Sequence, residues 1–137
     1  MLSFLDRLQP LALLVMRLSL GAIMIAHGWQ KFANLEMARH IVTGIGAPEW
    51  MAFLVIAAEF GGGILVLIGL LTRPAAAAIV IDMTVAILRV HLKNGFTGQG
   101  NFQFPLACLA LAFALIFFGA GPISLDSAFG TRKRKLG

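Results

Sequence analysis

Charged side chains are scarce in this 137-residue sequence, where Asp, Glu, Lys and Arg together make up 12% of the residues. A soluble domain has about twice that share, so no stretch is predicted to fold as a sizeable domain in water. Apolar residues make up 59% of the chain, against about 45–50% in soluble domains. The length suffices for one domain, and the apolar excess indicates that its solvent is a lipid bilayer.

Cysteine occurs only once, as Cys108, within a run of Leu, Ala and Phe. A lone cysteine excludes an intramolecular disulfide and a dithiol that cycles between redox states, so we interpret it as a small buried side chain. The sequence also lacks a phosphate-binding loop, a Ser-His-Asp arrangement and a spacing typical of metal or bis-histidine haem ligands. No metal site is therefore predicted, and any electron transfer requires a bound cofactor, a substrate or a partner protein.

Four apolar segments approach the length of about 20 residues that a helix needs to cross a bilayer core. The predicted spans are residues 10–32, 50–71, 74–90 and 104–119. Their apolar runs are continuous rather than alternating, and lipid offers no partner for backbone N–H groups, so the spans are predicted to be α-helices. The predicted fold class is an all-α, four-helix transmembrane bundle.

Basic residues predict which side of the membrane each connection faces. With both termini in the cytoplasm, the inner flanks hold Arg7, Arg73 and the basic run 132–135. We therefore predict cytoplasmic termini, a membrane domain over residues 1–126 and a basic cytoplasmic tail over residues 127–137. A nucleic-acid patch is the alternative for the tail, but nothing folded is expected behind it, so no nucleic-acid partner is predicted. In the first connection, residues 36–42 are predicted to form a short interfacial helix.

Ionisable residues occur inside the predicted spans, where a charge at the bilayer centre costs about 2.5–3.5 kcal/mol. Arg17 lies in the first span, Glu59 in the second and Asp82 in the third. The simplest prediction pairs Arg17 with Glu59, and its guanidinium has enough donors to bridge Asp82 as well. Such a group is either a structural ion network between helices or a proton relay or ligand site, and the residues alone leave both open.

Glycines accompany these charges. Arg17, Gly21, Gly28 and Lys31 share one face of the first span, and the glycines would let another helix approach that face closely. A run of three glycines, residues 61–63, follows Glu59. We interpret this run either as a helix-packing surface or as a notch that a ligand can reach.

A second polar group is predicted at the outer end, where His27, Lys31, Arg89 and His91 can converge from the first and third spans. Such a positive, donor-rich mouth suits an anionic or carbonyl-bearing ligand, with lipid head-group contact as the alternative. Gln103 and its neighbours reach the same end from the third connection. The candidate ligand-binding or proton-relay residues are therefore Arg17, His27, Lys31, Glu59, Asp82, Arg89, His91 and Gln103.

Several short motifs, in order along nearly the whole chain, resemble the DoxX family of small membrane proteins. They include Arg17-Leu-Ser-Leu-Gly21, His27-Gly-Trp-Gln-Lys31-Phe32, Glu59-Phe-Gly-Gly62, Gly69-Leu-Leu-Thr-Arg73, Phe102-Gln-Phe-Pro-Leu106 and Ser124-Leu-Asp126. The resemblance implies a four-helix bundle in a bacterial or archaeal cytoplasmic membrane. It also implies an oxidoreductase-associated role, because the DoxX and DoxD group includes the membrane part of a thiosulfate:quinone oxidoreductase. Gln103 stands where an acidic residue is expected in relatives, which puts proton transfer at that position in doubt.

Three functional hypotheses follow. The first is a component of a quinone-linked oxidoreductase or redox-stress system, in which a quinone arrives from lipid between the first and third spans and meets His27, Lys31 and His91. A redox protein or a second copy of the chain is the candidate partner, and the resemblance does not decide whether the chain is itself an enzyme. The second is a non-catalytic scaffold that binds lipid or another ligand. The third is a small transporter or proton conduit.

Overall fold

The computed structural model describes residues 2–135, and the side chains of residues 2–130. Every regular element in this part of the chain is helical, and it contains no strand. Four long apolar helices dominate, and we name them span 1 (Gln9–Ala33), span 2 (Met51–Ile68), span 3 (Thr72–Asn94) and span 4 (Gln103–Phe118). Spans 1 to 3 are long and apolar enough to cross a membrane, and span 4 is shorter. The predicted all-α transmembrane bundle is thus confirmed.

Shorter helices flank and connect the spans. Ser3–Asp6 precedes span 1, Leu35–Gly44 joins spans 1 and 2, and Leu125–Lys135 follows span 4. The helix predicted over residues 36–42 is confirmed, and it begins where the side chain of Asn34 accepts a hydrogen bond from the backbone of Met37. The last helix crosses the expected domain boundary at residue 126, and the side chains of the basic run 132–135 lie outside the described part.

Spans 1 and 2 pack closely through glycines. A Cβ atom added to Gly21 would lie 2.9 Å from the carbonyl oxygen of Gly63, and one added to Gly28 would overlap the backbone nitrogen of Phe60. The predicted close approach of a second helix to this face is therefore confirmed. Gly61 differs from its neighbours, since a Cβ atom there would meet nothing within 4 Å.

Spans 2 and 3 are joined by a tight turn over residues 69–71. Gly69 takes a left-handed conformation with φ +70°, and a Cβ atom there would collide with Ser124 and the guanidinium of Arg17. The carboxylate of Asp126 accepts hydrogen bonds from the backbone N–H groups of Leu71 and Thr72 at 2.8 and 3.0 Å. Asp126 thereby satisfies N–H groups at the start of span 3, which have no partner within the helix.

Two spans contain a π-helical segment, a local widening that often marks functional sites. Span 2 has one at Ala57–Gly61, which includes Glu59, and span 3 has one at Ile87–His91. Span 3 then continues as a 3-10 turn to Asn94, so it is longer than the predicted 74–90. The prediction ended too early because it stopped at the charged residues 89–93, whereas a helix that leaves the membrane continues through polar sequence.

Candidate functional site

The buried charges of the chain form two separate groups. The first surrounds Arg17, which is only 2% exposed. Its guanidinium donates to the carbonyl oxygens of Val66 and Leu67, both at 3.0 Å, and to those of Ala120 and Ile123 at 2.9 and 2.6 Å. The last carbonyls of a helix have no intrahelical donor, and a cation is favoured at that end by the helix dipole. Arg17 therefore holds the end of span 2 against the segment that follows span 4.

The predicted pairing of Arg17 with Glu59 is wrong. Spans 1 and 2 run antiparallel, and their glycine contacts set Arg17 beside Val66 and Leu67 at the end of span 2. Glu59 lies seven residues before Val66, which is about 10 Å along a helix. In the described part of the chain, all of the hydrogen bonds of the Arg17 side chain go to backbone carbonyls, so we assign it a structural role.

Glu59 pairs instead with Lys31. The Lys31 Nζ atom lies 2.8 Å from Oε1 and 2.6 Å from Oε2 of Glu59. The two side chains are 15% and 5% exposed, respectively, so this ion pair lies almost entirely inside the bundle. Lys31 occupies the last turn of span 1 and Glu59 the π-helical segment of span 2.

Asp82 of span 3 faces the same pair. Its carboxyl group is close enough to Glu59 to interact with it by hydrogen bonding, and Lys31 lies near both. Its Oδ2 atom is buried and has no hydrogen-bond partner among the described residues. Among the described residues, the ion pair of Lys31 is with Glu59, which leaves the Asp82 carboxyl group without a matching cation.

Span 4 contributes Cys108, which is 1% exposed and lies within electrostatic range of Glu59. The interpretation of this cysteine as a buried side chain is confirmed. Its position within electrostatic range of Glu59 was not predicted, and no signal in the sequence pairs the two residues. Each of the four spans thus supplies one residue to a group that we call the four-span cluster, consisting of Lys31, Glu59, Asp82 and Cys108.

Among the side chains that the structure describes, those expected at the outer mouth do not form hydrogen bonds with one another. The ring of His27 packs against Phe104 with 5.0 Å between centroids, and Nδ1 of His91 lies 2.8 Å from the carbonyl oxygen of Gly100. Arg89 and Gln103 are exposed. Within residues 2–130, no hydrogen bond joins any of these four side chains to another or to Lys31.

Two surface cavities lie elsewhere on the bundle. One, of about 450 Å³, lies at the Arg17 end and is lined by residues 71–74, 118–121, 126 and 127. The other, of about 370 Å³, lies between spans 2 and 3 and is lined by Leu54, Ala57, Ala58, Gly62, Leu65, Leu71, Pro74, Ala75 and Ala78. We call this second cavity the span 2–span 3 groove. The described residues contain no group of three or more His, Cys, Asp or Glu side chains arranged to hold a metal ion.

Comparison with known proteins gives a family and several relatives. The sequence model of the DoxX family matches residues 12–92. "Putative oxidoreductase CatD" of Bacillus subtilis is 34% identical over 82% of this chain and 83% of its own length. "Uncharacterized membrane protein Rv3486" of Mycobacterium tuberculosis is 33% identical over 93% and 87%, and "Inner membrane protein YqjF" of Escherichia coli is 36% identical over 51% and 54%. No solved structure gives a significant match.

Proposed function

Because this chain belongs to the DoxX family, we propose that it is a membrane-embedded component of a redox system and that it binds a quinone-like ligand at the four-span cluster. The observation that carries the proposal is the buried Lys31–Glu59 pair beside an Asp82 oxygen that has no partner. A relative that bears the name of an oxidoreductase supports the redox assignment.

Stability alone does not account for this cluster. A buried ion pair contributes little compared with well-packed apolar side chains, and ionisable residues inside a membrane span are by default candidates for function. Arg17, by contrast, satisfies carbonyl groups at a helix end, and no further role is needed to explain it. The free-energy cost of burying the ionisable side chains of this cluster is therefore best explained by a ligand that they bind.

The donors and acceptors of the cluster suit a carbonyl-bearing ligand. An ammonium group has three N–H donors, and two hydrogen bonds from Lys31 go to Glu59, so one donor is free for a carbonyl oxygen. Lys31 is also the more exposed of the two paired side chains. When a bound quinone is reduced to a quinol, two electrons from a redox partner protein and two protons convert its carbonyl groups to hydroxyl groups, and the two carboxyl groups of the cluster can relay those protons to the ligand.

The proposal includes a location. The relative YqjF is named as an inner membrane protein, and exposed apolar residues such as Ile81, Phe117 and Phe118 suit contact with acyl chains. We therefore propose that the chain crosses a bacterial cytoplasmic membrane several times, and the basic residues Arg7 and Arg73 support cytoplasmic termini.

Quinone binding by the purified protein in lipid nanodiscs tests the proposal, with quenching of Trp29 and Trp50 fluorescence as the signal. Lys31→Met should weaken binding roughly 10- to 100-fold, because a hydrogen bond from a charged donor contributes about 1.5–3 kcal/mol. Lys93→Met is the matched control, since Lys93 is exposed, and it should bind as the wild type does. The proposal fails if the wild-type protein binds no more quinone than protein-free nanodiscs do.

A proton conduit is the second candidate function, and the close Glu59–Asp82 carboxyl pair favours it. In proteoliposomes, a conduit would carry a proton flux that Glu59→Gln abolishes, without any added quinone. A flux of this kind in the absence of quinone binding would replace the first proposal with this one.

A further inference from the structure

The span 2–span 3 groove is apolar along its whole length. Its lining residues on both helices are Leu, Ala, Gly and Pro, with no polar side chain among them. Gly62, one of the lining residues, packs against Ile79 of span 3, whose side chain would lie 3.4 Å from a Cβ atom on that glycine. Because the small residues leave space between two helices that otherwise touch, the groove is a channel on the lipid-facing surface rather than an internal cavity.

Asp82 lies one helical turn beyond Ala78, the last residue of span 3 that lines the groove. Ala75, Ala78 and Asp82 are spaced by three and four residues, so they lie on one face of span 3, and Ala78 is the last of the span 3 residues that line the groove. On span 2, Ala57 and Ala58 line the groove from the same π-helical segment that carries Glu59. The Asp82 side chain is partly buried. Its Oδ2 atom is buried and has no hydrogen-bond partner in the described part of the chain.

This inference rests on the function proposed above. We propose that the span 2–span 3 groove holds the single isoprenoid or acyl chain of the ligand and thereby presents its carbonyl head group at the four-span cluster, next to Asp82. This route lies between spans 2 and 3, whereas the route predicted from the sequence lay between spans 1 and 3. Ala57, Ala58 and Ala78 become residues that determine specificity for ligands with an apolar chain.

The volume of the groove favours a single apolar chain over a whole transmembrane helix as its occupant. At about 370 Å³, it lies at the small end of ligand cavities, which range over about 300–1,000 Å³. A transmembrane helix is about 10–12 Å across with its side chains, so only some of its side chains, and not the helix itself, would enter a groove of about 370 Å³. A single chain can lie within the groove, and Asp82, one turn beyond the lining, would lie next to its polar head group.

Filling the groove tests the proposal. Ala57→Phe and Ala78→Phe each add a ring to the lining, and Ala57 is exposed, so the first variant adds its ring without entering the core. Ala26→Phe is the matched control, because Ala26 is an exposed alanine on span 1, outside the groove. Two probes are compared in nanodiscs: a quinone with a decyl tail, and the same head group without a tail.

We expect both groove variants to bind the tailed quinone about tenfold more weakly than the wild type, a factor equal to about 1.4 kcal/mol. Binding of the tailless head group should not change, and Ala26→Phe should bind both probes normally. Unchanged binding of the tailed quinone by both groove variants overturns this inference and leaves the proposed function standing. Absence of quinone binding by the wild type overturns both.

A second measurement reports access from lipid without any quinone. Dicyclohexylcarbodiimide is an apolar reagent that modifies protonated carboxyl groups that it can reach from the bilayer. We expect it to modify Asp82 in the wild type and in Ala26→Phe, more slowly in both groove variants, and not at all in Asp82→Asn, as read by peptide mass spectrometry. Equal modification rates in the groove variants and the wild type would show that the groove is not the path to Asp82.

Discussion

Replacing Arg17 with lysine keeps the positive charge but should destabilise the bundle by about 3–6 kcal/mol. The guanidinium of Arg17 reaches carbonyls on two sides, Val66 and Leu67 on one and Ala120 and Ile123 on the other. A lysine ammonium is a single point on an unbranched stem and cannot serve both sides. At least two hydrogen bonds from a charged donor are lost, each contributing about 1.5–3 kcal/mol.

The difference in free energy of unfolding can be measured in mixed detergent micelles. The fraction of denaturing detergent is increased, and the loss of the helical circular dichroism signal reports unfolding. Arg7→Lys is the control, because Arg7 is exposed and its side chain makes no hydrogen bond in the described part. It should change the free energy of unfolding by less than about 0.5 kcal/mol. Hydrogen bonds between membrane helices average about 0.6 kcal/mol, so a loss near 1 kcal/mol for Arg17→Lys would refute the argument that these are strong, charge-assisted bonds.

Three further predictions concern the interior. Lys31→Met or Glu59→Gln alone should lower the free energy of unfolding by about 3–5 kcal/mol, and the double variant should lower it by clearly less than the sum of the two. Additive losses in the same unfolding assay would mean that the pair is not coupled. Gly28→Ala should lower the thermal unfolding temperature, because its Cβ atom would overlap the backbone of span 2, whereas Gly44→Ala, whose Cβ atom meets nothing within 4 Å, should not. Cys108 should resist an apolar maleimide until the protein unfolds, because it is 1% exposed; rapid modification of the folded protein would contradict its placement.

The spans themselves were predictable because the signals for them are local. A continuous apolar run and its length determine a membrane helix, and the predicted first and fourth spans agree with Gln9–Ala33 and Gln103–Phe118 to within one residue at each end. Pro74 and Pro105 lie in the first turns of spans 3 and 4, as expected. The glycines of span 1 were correctly identified as a packing face, since helical spacing places them together whatever helix they meet.

The partners of the buried charges could not be predicted in the same way. Arg17 and Lys31 lie on one face of span 1, and either could have met Glu59. Which of the two meets Glu59 depends on the axial offset between spans 1 and 2. That offset is set by the contacts of Gly21 and Gly28 with Gly63 and Phe60.

Hydrophobic length and residue spacing act within one helix, so the order of the residues alone establishes a helical membrane protein with ionisable groups in its interior. The packing of the four spans adds that Lys31 neutralises Glu59, that Asp82 and Cys108 lie near this pair, and that Arg17 binds backbone carbonyls. These contacts join helices far apart along the chain, and their geometry follows from the register in which the helices pack, which no single segment encodes.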